Sequence, residues 1–486
     1  MRILLVAHGY PPELLGGTEL AVQALARALA ARGHEVGVFA GTLELRSPPE
    51  LSHHADTDPA SGERFPVWRA HRGDLYFDHW QKSQSAHVRG LFRDVLADFL
   101  PDVVHVHHWI RLSRDLVATA ARAGVPAVVT LHDLWSTCLI AFRVRPDTKE
   151  FCEVPLAPDP CIDCAMLIPP RTPWVPREQL VMQLYQRRAG LVQELALARA
   201  VLAPSAAHAR TVDLFLGRSL GELPLRVVPP GRDLALARLM PLPAPSATQP
   251  LVLGAWGHLA PLKGYDVLLD ALGMLGTGFA VRLEIAGGEV DPEHAALLRA
   301  RAQRLPPQIT VEFHGAFDAG ALDRHPVAKV HAMVSGTRAH ESWGLVVDEA
   351  LALGLPCVLP RAGALAERAE AAALARPPGW ALLYERGDAV SLAAALRRLI
   401  AEPALLDALR AALPAPEHAA PGLMAHVDAT LEAYADALDR GAPSLPALPW
   451  FQERMEAAAE RDWDRRLAQQ SGEALGFLPP TGGGHA

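Results

Sequence analysis

The chain has 486 residues, half of them hydrophobic, which is too long for one compact core and about right for two domains with a cleft between them. A formal net charge of −8 argues against a general nucleic-acid binder, because such proteins need a basic face to release counterions. No stretch approaches the roughly 18 uncharged apolar residues of a spanning helix, and the apolar start is too short for a secretory signal, so a cytoplasmic protein is expected, with at most peripheral contact to the cytoplasmic face of a membrane.

Residues 2–7 read as an apolar strand and 11–17 as a loop. Thr18 is the expected cap of a helix whose stripe is Leu20, Val22, Leu25 and Leu29. Gly33 ends that helix and 35–40 is the next strand, followed by strands at 102–107, 126–131, 200–203 and 225–228. The pattern breaks at a proline-rich stretch, 241–247, that suits a linker. It restarts with strands at 251–255, 281–286, 309–314, 329–334 and 357–359, and helices at 265–275, 292–303 and 345–353. Strands alternating with helices predict parallel, doubly wound sheets, hence an α/β chain of two Rossmann-like domains. The expected division is a first domain at 1–240 with a cysteine-rich insertion at about 138–175, a second domain at 241–440, and a terminal helix and tail at 441–486. Within the last part, 451–467 is a surface segment dense in both charge signs and 479–486 is expected to be disordered.

The most informative stretch runs from Glu341 through Ser342, Trp343, Gly344 and Leu345 to Glu349. A carboxylate ends a strand-loop, Gly344 allows a turn, and an apolar helix begins, so backbone N–H groups there face whatever binds; such a helix start suits an anion. Glu349 could reach the ribose of a nucleotide whose phosphates sit on that start, with Glu341 beside its sugar. Taken alone, the two glutamates read more readily as a helix cap and a solvated helix residue. In the first half, His132 and Asp133 fall at the carboxyl edge of a strand, where ligands bind in doubly wound folds. The preceding His105-Val106-His107-His108 could be functional or satisfied by its neighbours.

The Glu341 to Glu349 spacing and its continuation, Ala350-Leu351-Ala352-Leu353-Gly354-Leu355-Pro356, resemble the Glu-x7-Glu motif of family 4 retaining glycosyltransferases. Trp256-Gly257-His258-Leu259-Ala260-Pro261-Leu262-Lys263-Gly264 resembles that family's phosphate-binding strand-loop, and Val201-Leu202-Ala203-Pro204-Ser205 and the Gly16-Gly17 loop fall in place. The similarity runs from Met1 to about Ile400. It implies the GT-B architecture, two Rossmann-like domains facing a central cleft, with the acceptor on the first and a nucleotide diphosphate sugar on the second. It implies catalytic roles for Glu341, His132 and Lys263, and donor contacts from Gly16, Gly17, His258, Lys263, Ser342, Trp343, Gly344, Leu345 and Glu349. Lys263, the helix start and the glycine loop would stabilise the departing diphosphate, so no catalytic metal is expected. The reaction would retain anomeric configuration, with a glycan or lipid-linked acceptor of bacterial surface polysaccharide or glycoconjugate synthesis. His258 stands where the family has an arginine, and Pro229-Pro230-Gly231-Arg232-Asp233 replaces the usual Pro-Asn-Gly-Val-Asp. Those departures leave open a catalytically weak sugar-nucleotide-binding protein, and the fold alone leaves open a phosphorylase or epimerase.

Four of five cysteines fall in the insertion, where a reducing compartment disfavours disulfides. Cys152, Cys161 and Cys164 form C-x8-C-x2-C with Cys138 upstream, a set that could close a structural zinc site or be reduced thiols in an irregular loop. The surrounding residues have few apolar anchors, so the insertion is expected to lack a core of its own.

Overall fold

The computed structural model describes residues 1–471 except 47–48, 74–79, 156–157, 169–171, 173, 217–224, 247–248, 277 and 279. Its first half is built on eight strands: β1 (Arg2–Ala7), β2 (Glu35–Gly41), β3 (Glu50–Thr57), β4 (Arg64–His71), β5 (Val103–Val106), β6 (Ala127–Thr130), β7 (Ala200–Ala203) and β8 (Leu225–Val227), in the order β3-β4-β2-β1-β5-β6-β7-β8. All pairings are parallel except β3 with β4. The second half holds β9 (Leu251–Trp256), β10 (Val281–Ala286), β11 (Ile309–Phe313), β12 (Ala332–Val334), β13 (Cys357–Pro360) and β14 (Ala381–Tyr384), all parallel in the order β11-β10-β9-β12-β13-β14.

Central strands such as β1 bury both faces, which is why they read as unbroken apolar runs and why helices must cover the sheet on each side. On one face of the first sheet lie the helices Gly17–Ala31 and Leu423–Arg440, whose Val22, Leu25, Val427 and Tyr434 share one core with Ile3 and Leu5. The final long helix of the 241–440 segment thus returns to the first sheet. On the other face, Phe92 and Val95 of the helix Ala86–Phe99 pack with Leu4 and Val104. Leu242, within the proline-rich stretch, and Leu239, just before it, pack on the second core, and the Leu239 N–H donates to Leu353 O at 2.9 Å.

Several expectations need correction. The first helix starts at Gly17 with Gly16, not Thr18, as its cap residue, and no side chain caps it. Strands β3 and β4 were not anticipated, and the strand expected at 329–334 is shortened to Ala332–Val334 by a 3-10 turn at Pro326–Ala328. The cysteine insertion does have apolar anchors. Ile162 and Ala165, on the helix Pro158–Leu167, join Trp80, Leu139, Val175, Leu180 and Leu184 in a small core. The expected disordered tail at 479–486 lies outside the described residues. The charged helix Trp450–Ser471 lies along Ala86–Phe99, with Arg89 bonded to Glu456 at 2.5 Å. Among the described residues no helix is long and apolar enough to cross a membrane.

Candidate functional site

The turn after β9 and the loop after β12 meet through two glycines. Gly264 has φ +63°, and a Cβ on it would stand 1.9 Å from Gly336 O; one on Gly336 would stand 2.2 Å from Gly264 O. Only glycines allow that approach. It carries Lys263 to Glu341, where Nζ donates to Oε1 at 2.9 Å, and the Thr337 hydroxyl donates to the same oxygen at 3.1 Å. Burial alone would raise the Glu341 carboxyl; the charge and hydrogen bond of Lys263, with Thr337, outweigh it and hold the group below its ordinary value.

Gly344 precedes the helix Leu345–Leu353 in the left-handed region, at φ +90°. The loop before it is braced from below. Fully buried Asp348 accepts from Trp343 Nε1 at 2.8 Å and from Arg368 at 2.5 Å. The Arg368 guanidinium also lies 4.2 Å over the Trp343 ring and donates to the Trp343 and Gly344 carbonyls at 3.3 Å. One turn on, Glu349 Oε2 accepts from Trp256 Nε1 at 2.8 Å and Oε1 from Arg232, also at 2.8 Å. His258 is exposed in the loop before Lys263.

The first domain presents its strand ends to this region. A Cβ on Gly17 would lie 3.3 Å from Leu345 Cδ1, so the Gly16-Gly17 loop faces the helix start across the cleft. At the same edge His132 Nε2 bonds His107 Nδ1 at 2.9 Å, His108 reaches Asp133 at 3.4 Å, and His8 pairs with Glu19 at 3.0 Å. The His8 and His108 rings stand 4.5 Å apart. Burial, then the charge of His108, push His132 down to about 3, so this imidazole is neutral. Glu19, which burial would raise, is held down to about 2 by His8. Phe151 stacks on His340 at 4.0 Å, linking the insertion to the residue before Glu341.

The structure therefore joins Lys263 to Glu341, sets Ser342, Trp343, Gly344 and Leu345 as one braced loop, and faces it with Gly16 and Gly17. His132 stands on the opposite domain. Thr337, Asp348, Arg368, His8 and Glu19 were not singled out in the sequence; Asp348, one residue before Glu349, reads there as an ordinary helix carboxylate. The four insertion cysteines line one small cavity. Among the described residues no three histidine, cysteine, aspartate or glutamate side chains are grouped closely enough to hold a metal.

A family model described as Glycosyltransferase Family 4 matches residues 15–236, and one described as Glycosyl transferases group 1 matches 250–402. The chain is 30% identical over 447 residues to the D-inositol 3-phosphate glycosyltransferase 1 of Catenulispora acidiphila, covering 88% of this chain and 92% of that one. Its fold is similar to sucrose-phosphate synthase from Thermosynechococcus elongatus, with TM-score 0.60 and 19% identity over 90% of this chain and 99% of that one. It is also similar to Anabaena HepE in complex with UDP-glucose, with TM-score 0.55 and 18% identity, again over 90% and 99%.

Proposed function

The chain belongs to glycosyltransferase family 4 and is a glycosyltransferase of the two-domain GT-B fold, and from that premise we propose that it moves a sugar from a nucleoside diphosphate to an acceptor hydroxyl with retention of configuration. The observation that carries this reading is the Lys263–Glu341 pair, 2.9 Å long, beside the open helix start at Gly344. A donor diphosphate would take Lys263 as a counter-charge and the Gly344–Leu345 amides as hydrogen-bond donors, supported across the cleft by Gly16 and Gly17. Glu349 would hold the ribose after giving up Arg232, and Glu341 would sit by the transferred sugar. The bond from the anomeric carbon to the phosphate oxygen breaks while the acceptor oxygen bonds on the same face, and the acceptor's proton goes to the departing phosphate. Neutral His132 serves as a hydrogen-bonding partner for the sugar hydroxyls rather than as an acid.

UDP-glucose bound to HepE and the inositol phosphate named in the relatives make a uridine donor and a phosphorylated polyol the first pair to try. A glycan or lipid-linked acceptor of surface polysaccharide synthesis is the second. A thermal-shift panel of nucleoside diphosphates, followed by product analysis with the stabilising donor and each acceptor, tests the reading, because a ligand of the native state raises its melting temperature by mass action. Absence of both stabilisation and transfer with every nucleoside diphosphate sugar would overturn it.

A further inference from the structure

The helices on one face of the first sheet border a groove that the transfer chemistry does not use. It lies between the helix Arg177–Leu197 and the charged helix Trp450–Ser471 and has a volume of about 880 Å³. None of the cleft residues described above lines it. The volume falls in the range of ligand sites, roughly 300–1,000 Å³, but such sites are mostly apolar, whereas this lining is polar. Seven of the chain's thirteen glutamines border it.

Four of them form a pattern. Gln179, Gln183, Gln186, Gly190 and Gln193 recur at alternating steps of four and three, so they make one stripe down the helix Arg177–Leu197. Buried Leu184, Leu191 and Leu195 anchor the rest of that helix, which turns the stripe outward. At Gly190 a Cβ would stand 2.3 Å from Arg114 Nε, so the missing side chain lets the Arg114 guanidinium lie across the helix. Gln452, Glu456 and Trp463 border the groove from the final helix, and Gln81 and Gln84 from the turn before Ala86–Phe99.

The charged groups of the lining satisfy one another. Arg89 donates to Asp115 and to Glu456, both at 2.5 Å, and Arg466 to Asp462 at 2.9 Å. Buried Glu194 accepts from Trp109 Nε1 and from the Val117 and Ala118 N–H groups. Glu460 accepts from the Ala86 N–H at 2.8 Å, and Arg114 donates to Gln84 Oε1, also at 2.8 Å. Arg122 donates to Pro446 O at 3.2 Å. What remains is uncharged: the side-chain amides of Gln179, Gln186 and Gln193 make no hydrogen bond among the described residues. An anionic ligand would need an unpaired cation here, and a cationic one an unpaired carboxylate. A primary amide offers instead a C=O acceptor beside an N–H donor. That pair matches two neighbouring hydroxyls of a sugar ring, each of which both donates and accepts. At the rise of an α-helix the stripe from Gln179 to Gln193 spans about 21 Å, more than one sugar ring covers.

We propose that this groove is a binding site for a neutral oligosaccharide, held by amide–diol hydrogen bonds along the glutamine stripe and by contact with the Trp463 ring. Binding here needs neither donor nor transfer, so the proposal stands apart from the reading of the cleft.

The test is native electrophoresis of the full chain through gels that each hold one soluble polysaccharide: dextran, mannan or a mixed-linkage β-glucan as neutral probes, and alginate as the anionic comparator. At least one neutral polysaccharide should retard the protein. The retardation should be the same with saturating UDP and in Lys263→Ala, because neither touches the groove. Gln179→Ala, Gln186→Ala and Gln193→Ala combined should weaken it at least ~10-fold at an unchanged melting temperature, since these amides have no partner within the protein and alanine suits a helix. Free migration through every neutral gel, retardation by alginate alone, loss of retardation with UDP or in Lys263→Ala, or full retardation of the triple variant each overturns the site. Failure of sugar transfer with this binding intact would count against the cleft alone.

Discussion

The two walls of the cleft are made differently. On the second domain, Lys263, Thr337 and Glu341 meet because two loops of one sheet touch through Gly264 and Gly336, and the braced loop before Gly344 is held by Asp348 and Arg368 from the helices that follow. On the first domain, His8, His107, His108 and His132 come from the ends of three different strands, and burial keeps His132 and His107 neutral. One wall centres on a lysine–glutamate pair drawn together from motifs 78 residues apart, and the other on a histidine edge in which buried His107 and His132 are neutral. The first should therefore fail by losing charge balance, and the second by gaining charge.

The largest effect is expected where a charge is buried most deeply. Arg368→Met removes the cation from fully buried Asp348, so stability should fall by about 3–5 kcal/mol, the scale for orphaning one partner of a buried pair. Chemical denaturation measures it. A loss under about 1 kcal/mol would mean that the brace contributes little. Next come Glu341→Gln and Lys263→Ala, each expected to lower turnover by at least ~10²-fold while the melting temperature stays close to wild type. Near-normal turnover in both variants would remove the charged wall from the chemistry.

The same contrast explains what the sequence could tell. The second-domain candidate cluster was legible because each of its two parts is a contiguous stretch, a strand and turn ending in Lys263 and, 78 residues on, Glu341 to Glu349 across one loop and one helix turn. The parallel sheets followed from buried apolar runs, as in β1. The edge strand β3 was not, because Glu50-Leu51-Ser52-His53-His54-Ala55-Asp56-Thr57 has no fully buried position and shows no apolar alternation. Nor does any local pattern place Tyr434 against His105, 329 residues earlier, at 2.7 Å. His8 and Glu19 were hidden for the same reason, since the pair spans a strand end and a helix. Asp348 was hidden because burial of a helix carboxylate depends on what packs above it.

A smaller effect separates binding from chemistry within the charged wall. Glu349→Ala should raise the donor KM by about 10-fold or more with kcat little changed, since a ribose contact is made alike in the ground and transition states. Arg232, now 2.8 Å from Glu349, would be left without that partner, so Arg232→Met in the same background should add little. A fall in kcat at unchanged KM would contradict the assigned role of Glu349.

The buried histidines of the two domains should respond most gently, and to pH. His132 is held down to about 3, and His208 and His340 to about 4, chiefly by burial, while each takes up a proton near pH 6.5 in the unfolded chain. Between those values the unfolded state binds more protons than the folded one, so stability rises with pH through the window and is complete above about pH 6.5. Glu341 behaves differently: its value lies below that of a free glutamate, so its contribution is lost only at lower pH, beneath the ordinary glutamate value. Loss of stability on acidification should therefore begin near pH 6.5, with the imidazoles, before the carboxylates titrate. Urea unfolding at pH 7.5, 6.5 and 5.5 would reveal the slope, to which each neutral buried histidine adds at most about 1.4 kcal/mol per pH unit. His132→Asn should reduce the slope between pH 6.5 and 5.5 by up to that amount while leaving the interval from 7.5 to 6.5 almost unchanged. An unchanged acid slope in this variant would show that His132 carries its proton in the folded protein, and its description as a neutral hydrogen-bonding partner would fall with it.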